Sequence, residues 1–398
     1  MVKIYLLPAG VGDFIWIRFG EGSKTDHNIL IDGGSRKTSG LYKKVLRIIA
    51  TENQKALIIL THIDADHIQG AAQGIANMPD DLLVRTIDKI YFNTGRGIKR
   101  AQCKGKNQLW DDNAYMIEDQ VIVQGNSLLH SVRDAETFLQ MIERKGLASK
   151  LVEYTLSGTK TNYGGAHLLF ISPGEKELQA LLSKWDEYNV RKKIHYTSKC
   201  IPVYKDIVAL INEELGFDSS ITNKSSLAFL FEFEDVCGAF LGDAVSPVLQ
   251  EGIKKIKWSE PCILDFVKIP HHGGRYNMSD ELIRQLQSTN YLISTEGVPE
   301  SNIPSKVLLA HLINNNIMSS SSSSCQSQKD ISSSNDCPCN RQAIRLISNY
   351  KWWSGKYSNL FFSNVDKRDF IDTGIIELVK LSDKPMIIKN NLELYNEF

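Results

Sequence analysis

His62-Ile-Asp-Ala-Asp-His67 places two imidazoles and two carboxylates within six residues, directly after the apolar run 56–60. In an extended loop His62, Asp64 and Asp66 project to one side, and a turn at His67 returns its ring towards them. Without a cation the two carboxylates repel at a strand end, and a divalent ion removes that cost. Four local ligands do not complete a hydrolytic site, so further acids and histidines are expected at other strand ends. Asp243 follows the apolar residues 239–241, and His271-His272 follow 266–269. Gly273-Gly274 after the histidine pair lets backbone approach a ligand closely.

The elements that must position these groups alternate strand with helix. Residues 3–7 and 14–19 read as strands joined by the turn Pro8-Ala-Gly-Val-Gly-Asp13, and 28–32 as a third strand closed by Gly33-Gly34. A helical period covers 41–51, a strand 56–60, and a small-residue helix 71–78. The second half repeats this order: strands at 227–233 and 239–243, a helix at 245–256, then a strand at 266–270. A helix near 279–287, a strand at 291–294 and a helix from Pro304 follow. Acids and histidines at strand ends predict a layered α/β sandwich with its chemistry on loops at one sheet edge. Residues 97–222 are less periodic and read in part as an insertion, within a single domain spanning 1–398. The serine-rich stretch 316–340 cannot bury a core and reads as a surface loop. Its Cys325, Cys337 and Cys339 lack a fourth partner for zinc.

Composition narrows the function classes. The 398 residues carry 46 basic and 46 acidic side chains, and this neutral balance excludes a protein that coats nucleic acid by bulk charge. Seven scattered cysteines argue against a disulfide framework. No apolar run reaches the ~18 residues of a membrane span, and Met1-Val-Lys-Ile-Tyr-Leu-Leu-Pro8 lacks the order of a signal peptide. A cytoplasmic protein without a membrane partner is expected.

Taken together, His62-x-Asp-x-Asp-His67, Asp32-Gly-Gly34, Leu241-Gly-Asp243 and Pro270-His-His-Gly273 resemble the metallo-β-lactamase superfamily. Gly10-Val-Gly-Asp13 and Asn223-Lys-Ser-Ser-Leu227 are similar to motifs of its ComEC-like hydrolase subgroup. The match spans 1–80 and 220–310, about half the chain. The resemblance implies a four-layer αββα sandwich holding one or two divalent ions, zinc or manganese. It implies His62 and Asp64 on the first ion, Asp66 and His67 on the second, Asp243 bridging, and His272 completing the shell. It leaves His271 to touch a substrate phosphate or protonate a leaving group, counts Asp66 with the catalytic residues, and makes Asp32 the acid that orients a ligand. Asp13 supports the site. Asp64 departs from the histidine usual in the superfamily, and a further metal-binding histidine is not evident. His130 and His167 have the right order, but no acid or glycine motif accompanies His167, which reads as structural. A histidine expected before Pro304-Ser305 is replaced by Ile303.

Such a site predicts hydrolysis by metal-activated water, most naturally by a phosphodiesterase or nuclease. No nucleophilic serine motif, P-loop or dinucleotide fingerprint competes. Gly95-Arg-Gly-Ile-Lys-Arg100, continuing through Lys104 and Lys106 without an acid, reads as a basic loop in which Arg96, Lys99 and Arg100 hold a nucleic-acid backbone. The alternatives are a hydrolase of a small ester (cyclic nucleotide, phosphocholine or lactone), or a metal-stabilised, non-catalytic subunit bound to a protein partner in a multi-gene system.

Overall fold

The computed structural model describes residues 1–105, 127–190, 205–257, 262–298, 302–322, 343–354, 358–381 and 386–388. Two large sheets face each other. The first contains β1 (Val2–Leu6), β2 (Ile15–Phe19), β3 (His27–Ile31), β4 (Lys55–Ile59), β5 (Ile87–Tyr91) and β6 (Leu151–Val152). The second contains β7 (Lys160–Tyr163), β8 (Ala166–Ser172), β9 (Ala228–Phe233), β10 (Val236–Phe240), β12 (Phe266–Lys268), β14 (Asn290–Ile293), β15 (Ile344–Ser348) and β16 (Ile376–Lys380). A short separate ladder joins β11 (Cys262–Ile263) to β13 (Leu286–Gln287), and β17 (Met386–Ile388) pairs with β1. The sheet orders are β17-β1-β2-β3-β4-β5-β6 and β16-β15-β14-β12-β10-β9-β8-β7.

Strand alternation builds the layers. Ile29, Ile31, Leu57 and Ile59 of the first sheet meet Phe229, Phe231, Phe233 and Phe240 of the second in the central core. Their chain neighbours face outwards: Leu30, Ala56 and Ile58 on one side, Ala228, Leu230 and Ala239 on the other. The first outer face is covered by α1 (Ser39–Thr51), α2 (Ala65–Ala76), α3 (Asp80–Thr86), α4 (Gly95–Gly105), α5 (Ser127–Arg144) and α6 (Glu175–Val190). The second is covered by α7 (Ile207–Leu210), α9 (Ser246–Lys255), α10 (Asp280–Gln285) and α11 (Lys306–Ser322), while α8 (Ile221–Lys224) leans on α6. Helix, sheet, sheet, helix is the expected four-layer αββα sandwich.

Three details depart from the expected elements. The helix after the His62–His67 motif begins at Ala65, so Asp66 and His67 lie in its first turn and not in a loop; Asp64 occupies the extended position before it. Residues 97–222 are not only an addition, because β6 extends the first sheet and β7 and β8 extend the second. There, buried Leu168 and Phe170 alternate with outward His167 and Leu169, as the strand-like run 166–171 leads one to expect. The helix starting at Lys306 continues into the serine run as far as Ser322, and 323–342 lies outside the described residues. No described helix is long and apolar enough to cross a membrane.

Candidate metal centre

Three strand ends converge. His62 follows β4 of the first sheet, whereas Asp243 and the His271-His272 pair follow β10 and β12 of the second. β3 with β4, and β10 with β12, run parallel, so their carboxyl ends open on the same edge. Gly12 brings the first loop against this edge: a Cβ there would lie 1.8 Å from the Asp66 carbonyl oxygen. At Gly242 the backbone turns through φ +52°, and a Cβ would press on Ser226 Oγ at 2.5 Å.

Four imidazoles surround one carboxylate oxygen. Asp243 Oδ2 stands 3.7 Å from His62 Nε2, 3.3 Å from His67 Nε2, 3.6 Å from His272 Nε2 and 4.0 Å from His271 Nε2. Nε2 of His62, His67 and His272, together with Asp243 Oδ1, are buried and make no hydrogen bond. Orphaned buried polar atoms are rare and need a partner. Ligands ~2.1 Å from a tetrahedral ion stand roughly 3.4 Å apart, close to the 3.3–3.7 Å between Asp243 Oδ2 and the three buried Nε2 atoms. The donor set therefore fits a divalent cation.

The opposite face of each ring fixes its tautomer. His67 Nδ1 donates to Asp32 Oδ2 at 2.7 Å. Thr61 Oγ1 also donates to Asp32 Oδ2, at 2.7 Å, and so accepts from His62 Nδ1 at 3.0 Å. His272 Nδ1 donates to the Ser294 carbonyl at 3.1 Å. Asn277 donates its amide to the Asp243 carbonyl, leaving its oxygen to accept from His271 Nδ1 at 2.9 Å. With every Nδ1 occupied as a donor, Nε2 is the atom of each ring whose lone pair faces inwards once the ring is neutral.

Asp66 Oδ2 lies 3.9 Å from His67 Nε2 and 3.7 Å from His272 Nε2, so these three and Asp243 surround one position. Asp64 Oδ2 lies 3.5 Å from His62 Nε2 on the other side. Its two oxygens also accept from Ser131 Oγ at 2.9 Å and Thr222 Oγ1 at 3.0 Å. Asp64 thus ties α5 and α8 to the centre.

Charge in the cluster is balanced by buried partners. Burial alone would raise the Asp243 carboxyl, but His67, His272 and His271 hold it well below the usual carboxylate range. Burial likewise opposes charge on His67 and His272; Asp243 and Asp32 outweigh it at His67, and Asp243 and Asp13 lift His272 to about 9. For Asp13 burial is again the largest influence, yet Lys268 and His272 keep the carboxyl low. Lys268 is 1% exposed, and its ammonium pairs with Asp13 Oδ2 and donates to the Gly242 carbonyl at 3.1 Å. Sequence reading missed Lys268, Asn277, Thr61, Ser131 and Thr222. The signal for Lys268 was a lone cation inside the apolar run before His271.

The structure thus brings together His62, Asp64, Asp66, His67, Asp243, His271, His272 and Asp32. It places Arg96, Lys99 and Arg100 on helix α4, not on a loop, with Thr94 Oγ1 accepting from the Gly97 amide at its start. Arg96 pairs with both Glu143 and Glu153, and Arg100 with Glu153 at 3.3 Å. These acids come from α5 and the segment after β6, so a scan for nearby acids in sequence does not see them. His167 is exposed on β8, beside Asn162. Lys106 and the three late cysteines lie outside the described residues.

No protein-family profile matches the chain, and no curated protein matches it by sequence. Solved structures similar to it include members of the metallo-β-lactamase superfamily. CmlA, a diiron β-hydroxylase from Streptomyces venezuelae, is 11% identical over 96% of this chain and 52% of its own, at TM-score 0.34. This chain therefore spans about half the length of CmlA. Human tRNase Z, short form, is 9% identical over 73% of this chain and 90% of its own, at TM-score 0.31. Zn²⁺-bound PqqB from Methylobacterium extorquens is 10% identical over 95% and 97%, at TM-score 0.35.

Proposed function

We propose that this chain is a metal-dependent hydrolase of phosphodiesters, of the ComEC-like kind that its motifs resemble. The observation that carries the reading is the ring of inward-facing imidazole Nε2 atoms around Asp243 Oδ2. Asp66, His67, His272 and Asp243 would hold one ion, and His62, Asp64 and Asp243 a second. Zinc suits the imidazoles, and manganese suits the oxygen-rich side given by Asp64. Bound there, such an ion lowers the pKa of water and draws charge from the ester.

The chain's own residues do the rest. Asp32 and Thr61 hold the His67 and His62 rings in their ligating tautomer, and Ser294 does the same for His272. His271 has a side chain 33% exposed, whereas those of His62, His67 and His272 are nearly closed off. Anchored through Nδ1 to Asn277, it can present Nε2 to a substrate oxygen and, when protonated, give a proton to the leaving group.

Arg96 and Arg100 spend their charge on Glu143 and Glu153, which favours a second reading within the same chemistry: a small ester or phosphodiester in place of a polymer. Metal content of the purified protein, then turnover of bis(p-nitrophenyl) phosphate with Mn²⁺ or Zn²⁺, tests the proposal. Metal-dependent turnover abolished by Asp243→Ala supports it. Stoichiometric metal without turnover would shift the reading to a non-catalytic partner subunit.

A further inference from the structure

The two segments that contact His271 through Asp218 and Asn277 each also carry a large exposed ring. Phe217 is 66% and Tyr276 48% exposed. Their backbones are bound together, because the Asp218 amide donates to the Tyr276 carbonyl at 2.8 Å. Gly216 turns at φ +74° against one edge of the tyrosine ring, where a Cβ would meet Tyr276 Cδ1 at 2.9 Å. Each aromatic immediately precedes a residue that contacts His271. Asp218 Oδ2 lies 3.9 Å from His271 Nδ1, and Asn277 Oδ1 accepts from the same nitrogen. Asn277 also donates to Asp218 Oδ2 at 3.2 Å, which closes the loop 216–218 onto 275–277. Arg275 stands 5.9 Å over the Tyr276 ring with its guanidinium held by Glu213 and the Glu214 carbonyl. The two segments are therefore cross-linked, and Arg275 is spent on its own partners.

Resting on the phosphodiesterase reading, we infer that Phe217 and Tyr276 form a stacking rim for a flat ring on the substrate. The substrate class is then a small phosphodiester bearing a nucleobase or similar aromatic group. Its phosphate sits at the metal centre, and its ring lies beside His271. Aromatic side chains hold bases through their faces whatever the sequence. With Arg96, Arg100 and Arg275 all paired, ring stacking and not backbone charge supplies the binding.

The test compares AMP with inorganic phosphate as probes of the metal-loaded protein, by calorimetric titration. Wild type should bind AMP more tightly than phosphate. Phe217→Ala with Tyr276→Ala should weaken AMP about tenfold or more, within the range of stacking losses, and leave phosphate unchanged. Phe217→Tyr with Tyr276→Phe keeps both rings and should restore AMP binding, while metal content stays constant throughout. AMP binding no tighter than phosphate in wild type, or equal weakening of both probes in the alanine variant, would overturn the rim while leaving the hydrolase reading intact. Failure of wild type to bind either probe would remove the phosphoester reading and the rim with it.

Discussion

His67 Nδ1 and Asp32 Oδ2 lie 2.7 Å apart with both side chains fully buried. That contact decides which nitrogen of His67 faces the centre. Asp32 sits at φ +55°, a conformation that asparagine also tolerates, so Asp32→Asn should fold. The amide oxygen would keep the Thr61 amide donor, and the new NH₂ would face the imidazole N–H. The ring would escape by moving its proton to Nε2, which removes the ligating lone pair. Metal affinity should fall about 10–100-fold, as for other partners of metal ligands, in a chelator competition assay. Unchanged affinity would mean that Asp32 does not set the tautomer.

The two proposed ion positions would be unequal. Asp66, His67 and His272 lie within ligand distance of one another, and so do His62, His67 and Asp243, whereas Asp64 joins no such group. Dialysis should leave about one ion per chain, with a second bound only in metal excess. Asp64→His should strengthen the second position and move its preference from Mn²⁺ towards Zn²⁺. Two equally retained ions in wild type would contradict the asymmetry.

Much of this centre was legible because its residues stand where short apolar strands end. His62, Asp243 and His272 each follow such a run, and the tight approach at Gly12 was visible as a glycine turn. Long-range pairing was not legible. Glu153 reaches Arg96 across 57 positions, and Lys268 meets Asp13 across 255. Helix α4 also hid, because glycines at 95 and 97 argue against a helix until Thr94 caps it. The β7–β8 hairpin was absorbed into an apparent insertion, since its partner β9 comes some 60 residues later.

Lys268 is a buried cation whose removal isolates Asp13. Lys268→Met should destabilise the fold by about 3 kcal/mol, the usual cost of leaving one partner of a buried pair uncompensated. Adding Asp13→Asn should recover part of that loss, because the second substitution removes the stranded charge. Chemical denaturation of the single and double variants measures it. Additive losses would show that the two residues are not coupled.

Replacing Arg96, Lys99 and Arg100 with alanine has a different expected result from that of a nucleic-acid loop. Glu153 and Glu143 would lose their cationic partners, and the fold should weaken by about 1 kcal/mol for this partly exposed network. Turnover of a small phosphodiester should stay near wild type. A marked loss of DNA or RNA binding, with a flatter salt dependence, would instead restore these side chains as backbone contacts.

Protonation of the metal-free centre sets a pH signature. Burial opposes the charge on His272, yet Asp243 and Asp13 raise its folded value to about 9, against ~6.5 for an unperturbed imidazole. A raised folded value means that the ion pairing contributes fully below about pH 6.5 and is lost as pH rises through about 9. The chelator-treated protein should therefore lose thermal stability across that window. Metal-loaded protein should not, because the cation replaces the proton on Nε2. The same exchange requires proton release on binding, so metal affinity should rise with pH up to about 9 and then level. Calorimetry in buffers of different ionisation heat reads the protons released at pH 7.5. A metal affinity independent of pH between 6.5 and 9 would show that no imidazole in the centre is charged before the cation arrives.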